Sequence, residues 1–111
     1  MAEEPLYLYL TTIGRKTGLP REIEIWFTGL DGRFYLIGEN RERANWVQNI
    51  ISNPQVSFRV GEQTFSGIGR VLDEASANKS QRRVREGFDL KYGWSDGLIV
   101  ELNPLSEPAS A

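Results

Sequence analysis

Leu6-Tyr7-Leu8-Tyr9-Leu10-Thr11-Thr12-Ile13-Gly14-Arg15-Lys16-Thr17-Gly18-Leu19-Pro20-Arg21-Glu22-Ile23-Glu24-Ile25-Trp26-Phe27-Thr28 sets two alternating runs on either side of one glycine- and proline-bounded turn. In the first run Leu6, Leu8 and Leu10 face one way, and Tyr7, Tyr9 and Thr11 the other. In the second, Ile23, Ile25 and Phe27 oppose Glu22, Glu24, Trp26 and Thr28. Successive side chains of a strand point to opposite faces, so each run reads as a half-buried strand. Asp31-Gly32 then predicts a type I′ hairpin, whose two central residues need positive φ, and Arg33 to Gly38 pairs back as a third strand.

Near Arg43 the period lengthens to that of a helix. Trp46, Val47, Ile50 and Ile51 form one apolar stripe, with Asn45, Gln48, Asn49 and Ser52 on the other side. Asn53-Pro54 stops the helix, because the residue before proline avoids the α region. Val56, Phe58 and Val60 alternate in a fourth strand, Gly61-Glu62 turns the chain, and Gln63 to Leu72 is a fifth. Gly67 and Gly69 share one face of that strand, which points to a barrel bend or a close backbone approach. Asp73 is the expected N-cap of a second helix reaching about Lys91, with Gly93 as its C-terminal cap. Leu98, Ile99, Val100 and Leu102 make the last strand, and Pro, Ser and Ala enrich the end of the chain. The expected order is βββ-α-ββ-α-β. It describes a mainly β (α+β) domain over residues 1–103, a small antiparallel barrel of about six strands with one helix plugging an end, followed by a flexible tail at 104–111.

Composition excludes several function classes. The 111 residues carry 13 basic and 15 acidic side chains, a net charge of −2 that does not favour nucleic acid. With no cysteine there is no disulfide scaffold, thiolate metal site or cysteine nucleophile; with no histidine there is no Ser–His pair, imidazole base or histidine-ligated metal. No apolar run approaches the roughly 18 residues of a membrane helix. Met1-Ala2-Glu3-Glu4 lacks the features of a signal peptide, so the expected location is cytoplasmic.

The turn Gly14 to Arg21 packs Arg15, Lys16 and Arg21 with the Thr17 hydroxyl and two glycines. Glycines let main-chain N–H groups face a concavity, and the cations neutralise an anion placed there. Each charge-assisted hydrogen bond to a phosphate is worth about 1.5–3 kcal/mol; a solvated basic turn is the plain alternative. A second cluster runs from Gly38 to Asn49, with Arg41 and Arg43 at a helix start that suits a phosphate or carboxylate. Trp46 and Asn49, three apart, are neighbours on that helix and suit a planar heterocycle; Trp46 as a core anchor is the alternative. Trp26 and the Tyr92-Gly93-Trp94 group offer ring-binding, dimer or substrate-covering surfaces, or serve as packing. Salt bridges from Glu22 and Glu24 to Arg21 or Arg33 outrank an acid–base reading of that pair, and Arg82, Arg83 and Arg85 read as a solvated helix face.

The stretch from Leu10 to Arg21 resembles the LTTxGRKSGxPR signature of the deazaflavin-dependent nitroreductase family. The resemblance extends through Asp31-Gly32-Arg33, Trp46-Val47-Gln48-Asn49 and Asn53-Pro54-Gln55-Val56, and returns at Lys91-Tyr92-Gly93-Trp94. It implies a split β-barrel like that of pyridoxamine phosphate oxidases and an F-420-type deazaflavin coenzyme, with FMN as the alternative. It further implies that Arg15, Lys16, Thr17 and Arg21 hold the cofactor's phosphate and tail. Glu24, Ile25 and Trp26 would lie along the ring, with Gly38, Asn40, Trp46 and Asn49 bordering it from the other side. The chain departs from many relatives at Glu24, where they carry proline, and at Glu39 to Arg43, where they carry a longer Ser/Lys loop.

Such a cofactor carries the hydride, which suits a chain without histidine. Tyr35, Tyr92 or solvent would supply a proton, and no catalytic side chain is singled out. The expected function is a homodimeric reductase passing hydride to a small acceptor such as a quinone or nitroaromatic. A non-catalytic flavin-type carrier and a cofactor-free structural dimer domain are the alternatives.

Overall fold

In the computed structural model, which describes residues 4–73 and 78–105, β1 (Tyr7–Ile13), β2 (Pro20–Trp26), β3 (Thr28–Leu30) and β4 (Arg33–Gly38) come first. A 3-10 turn (Arg41–Arg43) leads into α1 (Asn45–Ser52); β5 (Gln55–Val60), β6 (Gln63–Val71), α2 (Lys79–Tyr92) and β7 (Leu98–Pro104) follow. All seven strands form one antiparallel sheet in the order β2-β1-β5-β6-β7-β4-β3. The two ends of that order, β2 and β3, are separated in the chain by Phe27 alone. The sheet therefore curls until its edges meet at this residue, giving a split barrel.

The described residues form seven strands where about six are expected, because the second expected strand divides at Phe27. The alternation of exposure fails there: Phe27 and Thr28 are consecutive and both buried, Phe27 in the barrel core and Thr28 against Gly87 of the second helix. Where two sheet edges part, main-chain N–H and C=O groups lose their ladder partners and need others. Helix α2 supplies them. The Phe27 N–H donates to the Tyr92 hydroxyl at 3.0 Å, and that hydroxyl lies 2.7 Å from the Leu6 carbonyl and 2.9 Å from that of Phe27. Lys91 Nζ donates to Phe27 O at 3.1 Å, to Pro5 O at 2.7 Å and to Glu4 Oε1 at 2.7 Å.

The barrel interior is filled by Leu8, Leu10, Phe27, Leu36, Phe58, Phe65, Val100 and Leu102, with Val47 and Ile50 of α1 closing one end. A second cluster outside it packs Val84 and Phe88 of α2 onto Tyr35, Ile37 and Ile99. Strands β4 and β7 are thus covered on both faces, which is why Leu98-Ile99-Val100 is continuously apolar.

The Asp31-Gly32 turn has the expected positive φ at both residues, 53° and 79°. A Cβ at Gly67 would sit 2.7 Å from the Asn103 carbonyl, and one at Gly69 would sit 3.1 Å from Ile50. Both glycines mark close approaches. The N-cap of α2 is Asn78, not Asp73: its side chain accepts from the Gln81 N–H at 2.9 Å, and Gly93 (φ 70°) ends the helix as expected. The part of the expected second helix at 74–77 lies outside the described residues. Strand β7 continues to Pro104, opposite Gly67, and most of the expected tail, residues 106–111, lies outside the described residues. Among the described residues no helix is long and apolar enough to cross a membrane.

Candidate functional site

The β1–β2 turn closes on itself before anything else touches it. Gly14 N–H donates to Leu19 O and Gly18 N–H to Gly14 O, both at 2.8 Å, while Thr17 Oγ1 accepts from Leu19 N–H at 3.2 Å. A Cβ at Gly14 would fall 2.9 Å from Thr17 Oγ1, and Gly18 takes φ 73°, so both positions demand glycine.

Helix α1 then pins the closed turn through Asn49, which is 5% exposed. Its Nδ2 donates to Thr12 Oγ1 at 3.1 Å, and its Oδ1 accepts from the Arg15 N–H at 3.2 Å and from Arg15 Nη1 at 3.0 Å. The Arg15 guanidinium also reaches Asn45 O at 3.4 Å and Asn45 Oδ1 at 3.3 Å. The expected helix faces are corrected at two positions. Asn49 is buried because β1 and the turn offer it three partners, and Ile51, 55% exposed, leaves the stripe.

The pinned turn, the 3-10 turn and the start of α1 enclose a cleft of about 820 Å³. Arg15, Lys16, Arg21 and Arg43 line it, and no carboxylate does. Arg15 is tied to α1. Lys16, Arg21 and Arg43 have no ion pair and no side-chain hydrogen bond among the described residues. No side chain caps the first turn of α1, whose Ala44, Asn45 and Trp46 line the same space. Unpaired cations and free helix N–H groups together attract an anion.

Asn40, Ala44 and Trp46 are shared with a second cleft of about 550 Å³, lined further by Tyr7, Glu24, Ile25, Trp26, Glu39 and Trp94. The two form one groove with a cationic half and an aromatic half. Trp26, 38% exposed, stacks on Tyr92 with ring centres 4.3 Å apart and planes 4° from parallel, and Trp94 meets it edge-on at 6.2 Å. Glu24 accepts from the Tyr9 hydroxyl at 2.8 Å; that bond and the Glu24 charge raise the Tyr9 pKa above the ordinary tyrosine value. The Arg59 guanidinium lies 4.3 Å over the same Tyr9 ring.

The fold thus gathers Arg15, Lys16, Thr17, Arg21 and Asn49 in the cationic half, Ile25 and Trp26 in the aromatic half, and Asn40 and Trp46 at the junction. Gly38 lies beneath the groove instead of lining it. A Cβ there would press on Val47 at 3.3 Å and on the Trp46 ring at 3.4 Å, so its bareness lets Trp46 settle. The strand pattern alone does not single out Tyr7, although its register partner in β2 is Trp26; pairing the aromatic face of β1 with that residue is the signal that finds it.

Neither tyrosine considered as a proton source lines the groove. The Tyr92 hydroxyl is bonded to main chain, and Tyr35 donates to Glu101 at 3.1 Å inside the packing of α2. The salt bridges expected of Glu22 and Glu24 are absent among the described residues; Arg33 instead reaches Asn103 at 3.5 Å. Of the arginines of α2, Arg82 and Arg83 are exposed as expected, Arg83 in a surface pair with Asp31 at 3.3 Å, whereas half-buried Arg85 donates to Ser95 O and Gly97 O. No group of three or more metal-ligating side chains occurs among the described residues.

Among solved structures, an F420-H2 dependent reductase (FDR-A) is similar at TM-score 0.73 and 16% identity, over 93% of this chain and 98% of that one. The heme storage protein HutZ from Vibrio cholerae is similar at TM-score 0.74 and 17% identity, over 91% and 82%. A putative pyridoxamine 5'-phosphate oxidase from Listeria innocua follows at TM-score 0.72 and 12% identity, over 96% and 90%. Identities this low establish the split-barrel fold alone, and no curated protein matches the chain. The sequence itself goes further: it matches the F420H(2)-dependent quinone reductase family over residues 1–92 of 111, and the chain belongs to that family.

Proposed function

We propose that this protein is a reductase that seats a reduced deazaflavin coenzyme in its two-part groove and presents it to a small acceptor such as a quinone or a nitroaromatic. The supporting observation is the junction at Trp46 between a cleft lined by cations without a carboxylate and a cleft walled by aromatic rings. A phosphate-bearing ring cofactor needs that pair of environments side by side, and the residues present fit it.

Lys16, Arg21 and Arg43 hold the phosphate, with the uncapped start of α1 contributing N–H donors. Arg15 braces the turn that carries Lys16. Ile25, Trp26 and Trp46 border the ring, and their apolar surface excludes water from the reacting face. The coenzyme, when bound, supplies the hydride. The chain has no histidine or cysteine to act as nucleophile or imidazole base, so its own task is to bind, orient and shield. With Tyr35 and Tyr92 both engaged elsewhere, solvent delivers the proton.

Titrating the pure protein with reduced deazaflavin and, separately, with FMN tests this. Saturable binding of the deazaflavin, followed by its oxidation when menadione is added, is the expected result. Absence of saturable binding of either cofactor refutes the reading; binding without turnover across a panel of acceptors makes the protein a carrier.

A homodimer belongs to the same proposal. Leu6, Tyr7 and Trp26 are exposed beside the aromatic half, more apolar surface than an isolated barrel of this size needs at one place. Light scattering at twice the chain mass is expected. The monomer mass over a wide concentration range overturns that part alone.

A further inference from the structure

The aromatic half carries charge of one sign only. Glu24 and Glu39 line it and no lysine or arginine does, whereas the cationic half next door holds four cations and no carboxylate. Neither carboxylate is neutralised by an ion pair among the described residues: Glu24 accepts a hydrogen bond from Tyr9, and Glu39 has no side-chain partner. Nearby Arg41 pairs with Asp96 at 3.3 Å, and Arg59 lies over the Tyr9 ring at 4.3 Å. The lining between Trp26, Trp46 and Trp94 therefore carries two carboxylates and no cation.

We infer that Glu24 and Glu39 make the aromatic half a charge filter, admitting planar acceptors that are neutral or cationic and rejecting anionic ones. This rests on the reading of the groove as a cofactor and acceptor site. Aromatic walls attract a flat cation through the ring quadrupole as well, so walls and carboxylates act in the same direction. The filter also orients the cofactor, because a phosphate placed beside Glu24 and Glu39 meets like charge while one placed at Lys16 and Arg21 meets opposite charge.

Across about 7 Å of half-aqueous cleft at physiological salt, one carboxylate gives a preference of about three-fold between charge states. Two carboxylates give about ten-fold between a cation and its neutral analogue, and about as much again between the neutral form and an anion.

Three tricyclic probes of one shape test the filter by calorimetry on the cofactor-free protein: N-methylacridinium, acridone and acridine-9-carboxylate. Excess inorganic pyrophosphate is present to occupy the cationic half, and its own isotherm is recorded first. The expected affinity order is acridinium, then acridone, then carboxylate, with Glu24→Gln and Glu39→Gln each narrowing the spread about three-fold at each of the two charge steps, about ten-fold from cation to anion. The amide oxygen introduced by Glu24→Gln can still accept from Tyr9, and both positions are exposed, so the variants keep the fold, which melting curves verify. Affinities independent of probe charge, a spread unchanged in both variants, or no binding of any acridine overturns the filter. Failure of pyrophosphate to bind instead overturns the cofactor reading, and the two failures are read from separate isotherms.

Discussion

Replacing Asn49 with alanine removes a side chain that hydrogen-bonds α1 to both β1 and the cationic turn. Three hydrogen bonds go: one to the Thr12 hydroxyl, whose residue is 2% exposed, one from the Arg15 main chain, and one from the Arg15 guanidinium. Each of the first two is worth about 1 kcal/mol net, and leaving a buried donor or acceptor unpaired adds a cost of similar size. The guanidinium bond reaches toward solvent and is discounted. Alanine returns about 0.5 kcal/mol of helix propensity. The net loss is about 2 kcal/mol, which for a domain of this size lowers Tm by about 8 °C. Asn49→Asp separates stability from binding. Its carboxylate still accepts from Arg15, and the Thr12 hydroxyl can turn to donate to it, so most of the stability returns. The added negative charge now sits on the floor of the cationic half and weakens inorganic pyrophosphate binding about ten-fold. Thermal melts and pyrophosphate calorimetry on the two variants read both effects. An alanine variant melting within about 2 °C of the parent refutes the strut, and an aspartate variant that binds pyrophosphate as tightly as the parent refutes the assignment of that half to anions.

Lys16→Ala and Arg21→Ala remove cations with no partner among the described residues, so each weakens deazaflavin and pyrophosphate binding several-fold while moving Tm by about 1 °C or less; calorimetry beside a melt checks both. Arg15→Ala departs from that pattern, losing stability along with affinity, since its guanidinium is bonded to Asn45 and Asn49. Tyr92→Phe leaves the Phe27 N–H without an acceptor and costs about 1–3 kcal/mol by denaturant titration, with the Trp26 stack retained. Burial first, then the charge of Glu101, raise the Tyr35 pKa above the ordinary 10.0. The folded chain thus holds that proton more tightly than the unfolded one, stability falls as pH climbs past about 10, and Tyr35→Phe makes that alkaline loss shallower in melts taken across the range.

The barrel was readable because its strands are patterned by burial. Leu8 and Leu10 alternate with outward neighbours because β1 has one buried face, and Asp31-Gly32 adopts the conformation its residue types favour. The division at Phe27 was not readable. A strand that leaves one edge of a sheet to start the opposite edge keeps its apolar residues in sequence, and only the closed barrel with α2 docked on it shows that Phe27 enters the core while Thr28 is covered by Gly87 of the helix. Residue type does not separate Asp73 from Asn78 as the N-cap of α2, because both are good capping types. The choice between them is made by Gln81, whose main-chain N–H meets Asn78 and whose side chain reaches back to the Asp73 carbonyl.

The site divides along the same line. Residue type marked the cationic turn, since Arg15 and Lys16 stand between two glycines with Arg21 just beyond them. Residue type alone does not say which of the three is committed to the protein. Arg15 and Lys16 are adjacent and both basic, yet one is bonded to α1 and the other faces the cleft, a difference fixed by an asparagine 34 residues away from Arg15. Asn49 reads from its helix position as a polar surface residue; it becomes a strut because β1 presents Thr12 at the level where the helix passes. Arg15 is bonded to Asn45 and Asn49 of α1, Lys16, Arg21 and Arg43 have no ion pair among the described residues on one side of Trp46, and β2 brings Glu24 to the other side. On the proposed reading, the phosphate of a ring cofactor lies toward Lys16 and Arg21, in a groove braced by hydrogen bonds of Asn49 that touch neither the phosphate nor the ring.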